Sequence, residues 1–193
     1  MSLLSGTSCY LVGPVENDEK HGKDWRQTVG AELVKMGVKV YNPLDRPQWM
    51  ASISMYIPPV VTRSEVLRRA AENNNAMWDV AQMVVRDVCI RYVATCDFIF
   101  CYLSDTKTYG TIEELALAAR LGKPIVCVYK ECPSLWVYAM LDKKYVYKDI
   151  DSALGFLRSV NDGKVHELDA IDWIFIGGQG DAYKTLRNRY NQL

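Results

Sequence analysis

Two apolar runs constrain this chain more than anything else in it. Asp97-Phe-Ile-Phe-Cys-Tyr-Leu103 and Pro124-Ile-Val-Cys-Val-Tyr129 lack the polar alternation of a strand with one wet face. Such runs read as strands covered on both faces, the signature of a parallel sheet. The segments around them agree. Cys9-Tyr-Leu-Val-Gly13 reads as a buried first strand, and Val38-Lys-Val-Tyr41 as a second, ended by Asn42-Pro43. Lys144-Tyr-Val-Tyr147 reads as a fifth. Helical spacing separates them. Asp24 to Met36 places Trp25, Val29, Leu33 and Met36 on one face before Gly37 stops it. Thr111 to Leu121 is a short helix ended by Gly122, and Asp151 to Val160 is another. Strands alternating with helices predict a parallel sheet with helices on both sides.

The rest of the chain is less regular. Met50 to Val61 is apolar but broken by Pro58-Pro59, and Ser64 to Ala71 reads as a helix capped by Ser64. Asn73-Asn-Asn75 marks a loop, and a long helix is predicted from Ala76 to Cys96. Trp173-Ile-Phe-Ile176 reads as a short strand, followed by a turn over Gly177 to Gly180 and a helix from Asp181. The 193 residues suit a single domain, 1–193, with a core over 8–160 and an extension over 161–193.

Charge and composition narrow the function classes. The formal net charge is zero, so nothing predicts a nucleic-acid partner. No stretch approaches the roughly 20 apolar residues of a membrane span, and Met1 to Ser8 lacks the pattern of a signal peptide. A cytoplasmic protein without a membrane partner is expected. None of the six cysteines is spaced as CxxC, and there are two histidines, so no metal site is expected. Cys9, Cys101 and Cys127 sit in apolar runs and read as buried thiols.

Open parallel sheets bind ligands beyond the carboxyl ends of their strands, where the strand order reverses. That rule selects the turn after the first strand, the turn after the second, and the Ser104–Gly110 loop with the helix behind it. The first turn, Gly13-Pro14-Val15-Glu16, is no phosphate loop, because GxGxxG and GxxxxGK[ST] are both absent. A glycine at 13 would let a ligand approach the backbone. Behind the loop, Thr111-Ile-Glu-Glu-Leu115 opens the helix. Read locally, Glu113 and Glu114 are helix-start charges that the macrodipole keeps ionised, with Thr111 as the cap. Glu114, however, shares its face with Ala118 and Leu121, where a solvated face would show more polarity. Asp87 has an ordinary reading as a carboxylate paired with Arg91. Asp97 reads as a group that fixes the entry of its strand by hydrogen bonding.

Taken in order, these residues resemble a known family. Tyr10-Leu-Val-Gly-Pro14, Asp24-Trp-Arg26 and Val40-Tyr-Asn-Pro43 look like the start of the nucleoside 2-deoxyribosyltransferases. Asp87, Ile90, Cys96-Asp97, Gly110-Thr111, Glu114-Leu115, Ala118 and Gly122-Lys-Pro124 fall in the family's order and near its spacing. The resemblance spans 9–43 and 87–130, and loosely 144–160. It implies a flavodoxin-like or Rossmann-like α/β fold: a doubly wound five-stranded parallel sheet, here with a C-terminal extension. It implies cleavage of an N-glycosidic bond with no cofactor. In its terms Glu114 attacks the anomeric carbon, Asp87 handles the proton of the base, and Tyr10 lies near the nucleophile. Gly13 and the backbone around it, including Pro14, would line the pocket, with Gly110 and Thr111 at the helix start. Family members are usually oligomers, which predicts a homodimer or larger. Trp136, Tyr138, Trp173 and Phe175 are large groups that a small monomer must otherwise cover.

The implied chemistry is sound on its own terms. Covalent catalysis splits a difficult displacement into two easier ones. A carboxylate suits an oxocarbenium-like transition state. A nucleobase leaves poorly as an anion, so an acid must protonate it. The chain also departs from the pattern. Transferases of free nucleosides carry an acid six positions before the nucleophile, where this chain has Thr108. Related hydrolases of 5′-monophosphates carry a hydroxyl there, so Thr108 with Lys107 tilts the expectation towards a monophosphate. Asp105 would restore the acid under a different loop arrangement. The family glycine after Glu-Leu is Ala116 here. The expected partner is a small nucleoside or nucleotide. Two other readings stay open: a nucleotide-binding or sensing protein on the same fold, and a dinucleotide glycohydrolase.

Overall fold

The computed structural model describes residues 2–14, 21–44, 88–104, 109–129, 134–165, 173 and 175–176. They form strands β1 (Ser8–Val12), β2 (Lys39–Tyr41), β3 (Phe98–Leu103), β4 (Ile125–Tyr129) and β5 (Val146–Tyr147). The helices are α1 (His21–Lys35), α2 (Arg91–Thr95), α3 (Tyr109–Arg120), α4 (Leu135–Met140) and α5 (Ile150–Asn161). The strands make one parallel sheet in the order β2-β1-β3-β4-β5. This is the expected doubly wound, flavodoxin-like arrangement. Chain order reverses between β1 and β3, which puts the switch point beside the carboxyl ends of those two strands.

The continuous apolar runs are explained by what covers them. Cys9, Leu11, Phe98, Phe100, Val126 and Val128 face α1 and α5, packing with Trp25, Val29, Leu33, Leu154 and Leu157. Their strand neighbours Tyr10, Val12, Ile99, Cys101, Ile125 and Cys127 face the other way, against Val93, Leu115, Ala118 and Val137. Successive side chains alternate across a strand, so both sets must be apolar. The central strand pair is in register, with Cys9 opposite Phe98 and Val12 opposite Cys101. No disulfide joins the described cysteines, and Cys9, Cys96, Cys101 and Cys127 are buried.

The amino end of the sheet is pinned by polar contacts. Asp97 Oδ2 accepts from both the backbone N–H and the hydroxyl of Ser8, each at 2.7 Å. The Asp97 N–H returns a bond to the Ser8 carbonyl at 2.8 Å. Asp97 therefore fixes the entry of β3 beside β1, as its place in the sequence predicts. Lys123 Nζ donates to the Cys96 carbonyl, tying the exit of α3 to the same end. Gly122 has φ +62°, a left-handed conformation that ends α3 where the sequence placed its stop.

Four expectations need correction. Helix α3 begins at Tyr109, so Thr111 is its third residue and lies buried inside the helix. Thr111 is not the cap. Only Val146–Tyr147 of the predicted fifth strand pairs with β4; Lys143–Tyr145 is a 3-10 turn, started by Asp142 accepting from the Lys144 N–H. Trp173, Phe175 and Ile176 form a turn rather than a strand, closed by the Ile176 N–H on the Trp173 carbonyl at 3.0 Å. Strand propensity yields there to ring packing. Trp173 and Phe175 pack on Phe98, with centroids 5.7 and 6.2 Å away, and Trp173 also meets Tyr145 and Phe156. Lastly, the four large groups divide: Trp173 and Phe175 are buried core, whereas Trp136 and Tyr138 are exposed.

The long helix predicted over Ala76–Cys96 is described only at its end, as a π-helical turn over 88–90 running into α2. The readings of 45–87, including the Ser64–Ala71 helix, and of Gly177–Gly180 and the helix from Asp181, lie outside the described residues.

Candidate functional site

The switch point brings together residues far apart in the chain. Tyr10 lies mid-strand on β1 with its ring on the α3 side of the sheet. Its hydroxyl donates to Glu114 Oε1 at 2.7 Å, across 104 residues of sequence. Tyr10 and Glu114, two of the three predicted catalytic residues, thus meet directly. Among the described residues Glu114 Oε2 accepts no hydrogen bond, so one carboxyl oxygen is held and the other is not.

Glu114 is the sixth residue of α3, past the first turn, and helix-end charge falls off within that turn. This overturns the expectation that the helix start keeps it ionised. The residue as a whole is half-buried, but its carboxyl is closely surrounded by protein. Burial dominates and raises its pKa from 4.5 to about 7. The Tyr10 hydrogen bond and the positive charge of Arg26 pull the other way, and Glu113 adds a small repulsion. The Tyr10 hydroxyl is itself pushed well up, first by burial and then by the Glu114 charge. Tyr10 therefore keeps its proton and acts as a fixed donor. Beside it stand Cys89, whose thiol contacts the Tyr10 hydroxyl, and Tyr92, whose ring centroid is 5.8 Å away. Tyr92 stacks in turn on Tyr41 at 4.6 Å and 11°.

Gly13 and Pro14 follow β1 at its carboxyl end. Gly13 is demanded by close packing: a Cβ there would lie 2.7 Å from the Tyr102 carbonyl oxygen and 2.9 Å from Trp25 Cζ2. The chain's own atoms, then, occupy the space that the sequence reading left for a ligand. Arg26, on α1, is 1% exposed. Its Nη2 donates to the Gly13 carbonyl at 2.7 Å and its Nη1 to the Pro14 carbonyl at 3.1 Å. The guanidinium also lies 4.5 Å from the Trp25 ring. Gly110 is exposed at the start of α3, and a Cβ there would meet no described atom within 4 Å. Among the described residues nothing demands glycine at 110.

Asp87, Asp105 and Thr108 lie outside the described residues. Two residues after Asp87, Cys89 is at the Tyr10 hydroxyl. The sequence reading gave no role to Arg26, Cys89, Tyr92 or Tyr41. Arg26 had a visible signal: with Val29 and Leu33 it falls on the apolar stripe of α1 at i, i+3 and i+7, where a charge is out of place. The other three carried none, because their positions matter only once β1, β2 and α2 are side by side.

No group of three or more histidine, cysteine, aspartate or glutamate residues is placed to hold a metal among the described residues. Nor is any described helix long and apolar enough to cross a membrane. No family model matches the chain, and no curated protein matches it at a significant level.

Proposed function

We propose that this chain cleaves the N-glycosidic bond of a nucleoside or its 5′-monophosphate, in the manner of the nucleoside 2-deoxyribosyltransferases that its sequence resembles. One observation carries the reading: the Tyr10 hydroxyl holds one oxygen of Glu114 at the switch point, and among the described residues the other oxygen accepts no hydrogen bond. A held but under-coordinated carboxylate suits attack on an anomeric carbon. Oε2 would form the ester bond to the sugar as the bond to the base breaks. The leaving base takes a proton, a role the resemblance gives to Asp87. A second base or water then displaces the sugar from Glu114.

The pKa of about 7 fits a group that alternates between charge and neutrality. In the ionised form it is the nucleophile. Once esterified it carries no charge, and the burial that opposes ionisation favours that neutral state. Tyr10, which stays protonated, donates to whichever carboxyl form is present and limits rotation of the side chain. Phosphate recognition rests on Thr108 and Lys107 in the sequence alone. We further propose a homo-oligomer, in which exposed Leu135, Trp136 and Tyr138 on α4 would be covered.

The test is incubation with deoxynucleosides and their 5′-monophosphates, with released base read by chromatography. The expected result is base release by the native protein and loss of at least about a thousandfold in Glu114→Ala. Undiminished turnover by Glu114→Ala would remove Glu114 as nucleophile. Ligand-induced stabilisation with no base release from any substrate would favour the sensing alternative. A second free base separates the two enzymatic outcomes, because only a transferase converts it into a new nucleoside.

A further inference from the structure

Tyr10 can hold Glu114 only if its own ring is held. The hydroxyl lies at the far end of the side chain, so a rotation of about 30° about χ1 carries it further than a hydrogen bond tolerates. Tyr10 of β1 and Tyr41 of β2 are register partners on adjacent parallel strands, and both side chains lie on the α3 side of the sheet. Tyr92 of α2 contacts both rings. It stacks on Tyr41 at 4.6 Å and 11°, and it meets Tyr10 at 5.8 Å and 53°. The ring contacts therefore run Tyr41–Tyr92–Tyr10, and the hydroxyl of the last goes to Glu114 Oε1 at 2.7 Å. Lys39 Nζ, 5.0 Å from the Tyr41 ring, adds a cation contact to the row. On its other flank Tyr10 has Ile99 as register partner on β3. Helix α2 is well placed to present Tyr92. It runs out of the π-helical turn over 88–90, a form that recurs at functional sites. The Cys96 N–H closes it on the Tyr92 carbonyl at 2.9 Å, and it packs on α3, which carries Glu114. Cys89, at its entrance, contacts the Tyr10 hydroxyl.

We propose that Tyr92 is a positioning residue of the site: its ring, backed by Tyr41, wedges Tyr10 so that the phenol hydroxyl stays on Glu114 Oε1. The assignment rests on the catalytic reading of Glu114 given above and deepens it. Glu114 is esterified and freed in each cycle of that reading, so a donor that keeps its place returns the carboxylate to one orientation. The ring of Tyr92 is the part that matters. Among the described residues neither its hydroxyl nor that of Tyr41 makes a hydrogen bond. An aliphatic side chain at 92 would fill some of the space but offer no flat face to fix the tilt of Tyr10. The ionisable and charged groups that act on Glu114 or sense it are Tyr10 on β1, Arg26 on α1, Cys101 on β3 and Glu113 on its own helix. Cys89 stands behind Tyr10. Replacing Tyr92 alters none of these groups; it alters where the Tyr10 hydroxyl sits.

The experiment reads the ionisation of Glu114 by carbon NMR of the full chain labelled at glutamate side chains, with Glu114→Gln assigning the signal. The Tyr10 bond favours the ionised carboxyl, so its loss raises the titration midpoint. Tyr92→Leu is expected to raise the midpoint by about half a pH unit or more, towards the value in Tyr10→Phe. Tyr92→Phe, which keeps the ring, should stay near the native value. Tyr41→Leu should move the midpoint the same way by less. In the double variant Tyr10→Phe/Tyr92→Leu the midpoint should match that of Tyr10→Phe alone, because no bond is left to lose. A general loosening of the fold would instead add to the Tyr10→Phe effect. The unaltered protein gives an independent reading: the ring protons of Tyr92 should show cross-relaxation with those of both Tyr10 and Tyr41, on either side of the Glu114 midpoint. An unmoved midpoint in folded Tyr92→Leu, an equal shift in Tyr92→Phe, additive effects in the double variant, or no cross-relaxation between Tyr92 and Tyr10 overturns the proposal. If N-glycosidic turnover is present, Tyr92→Leu lowers kcat at pH 7 by roughly tenfold with KM little changed, and the acid limb moves with the midpoint. Were no substrate to release base while the midpoint still followed the ring at 92, the N-glycosidic reading would fail and the role of Tyr92 would stand.

Discussion

Asp97 and Glu114 are both shielded carboxyl groups on the same doubly wound sheet, and their surroundings differ in kind. Asp97, at the amino end of β3, takes two 2.7 Å bonds from Ser8, one from backbone and one from hydroxyl. Its burial is matched by short-range donors that belong to the fold, and it holds two strands together. Glu114, on the helix that follows the carboxyl end of β3, takes one hydrogen bond among the described residues, from a phenol, and is otherwise compensated by the positive charge of Arg26. A carboxylate whose donors, backbone and hydroxyl, belong to the neighbouring strand is structure. One left partly unsatisfied is a place where the chain accepts a cost in stability, which is how reactive groups are commonly held.

The comparison can be broken at its strongest point first. Glu114→Ala should abolish base release, a loss of about 4 kcal/mol or more in transition-state stabilisation, while leaving the fold intact by circular dichroism. Asp97→Ala should do the reverse. It leaves the Ser8 N–H and hydroxyl without their acceptor, and urea unfolding should show a loss of about 3 kcal/mol. Turnover per folded molecule should be retained. A stable Asp97→Ala protein would mean that the two carboxylates are not opposites.

The pH dependence of stability sharpens the contrast. The folded pKa of Glu114, about 7, lies above the 4.5 of the exposed group. The folded protein thus holds this proton more tightly than the unfolded chain does. The stability so contributed is full below about pH 4.5 and is lost as the pH rises through 7. Glu114→Gln should match the native protein near pH 4 and exceed it at pH 8, by up to about 3 kcal/mol in chemical denaturation. A difference independent of pH would show that Glu114 is not held in a shielded site. The smallest expected effect is that of Tyr10→Phe, which removes one hydrogen bond from the carboxylate. Its acid limb should move to higher pH and its rate at pH 7 fall by roughly tenfold, about 1.4 kcal/mol.

How much of this was legible beforehand follows from the range of the interactions. The sheet was legible because burial on both faces writes itself into consecutive residues, as Phe98–Leu103 and Ile125–Tyr129 show. The Tyr10–Glu114 contact was reached through the family resemblance and not through local pattern, since the partners are 104 residues apart. Local pattern misread Glu114 in one respect. Two adjacent glutamates near a helix start look like macrodipole charges, yet α3 begins early enough to carry Glu114 into its second turn, where burial rules. Trp173 and Phe175 misled for the opposite reason. With Ile174 and Ile176 they make a continuous apolar run that reads as a strand, but their rings are spent on the core beside Phe98. Arg26 was visible as a misplaced charge, though its target, the backbone of Gly13 and Pro14, has no sequence signature at all.

The cysteines carry a practical consequence. Cys9, Cys96, Cys101 and Cys127 are sealed in the core, whereas Cys89 is only half-buried and its thiol touches the Tyr10 hydroxyl. Thiol reactivity follows exposure, so in a Cys132→Ser chain, which removes the one cysteine outside the described residues, a small fluorinated reagent should discriminate between them. A single fluorine label at Cys89 would sit one hydroxyl away from the carboxylate, and would turn every change in the proton, ligand or ester state of Glu114 into a spectroscopic signal.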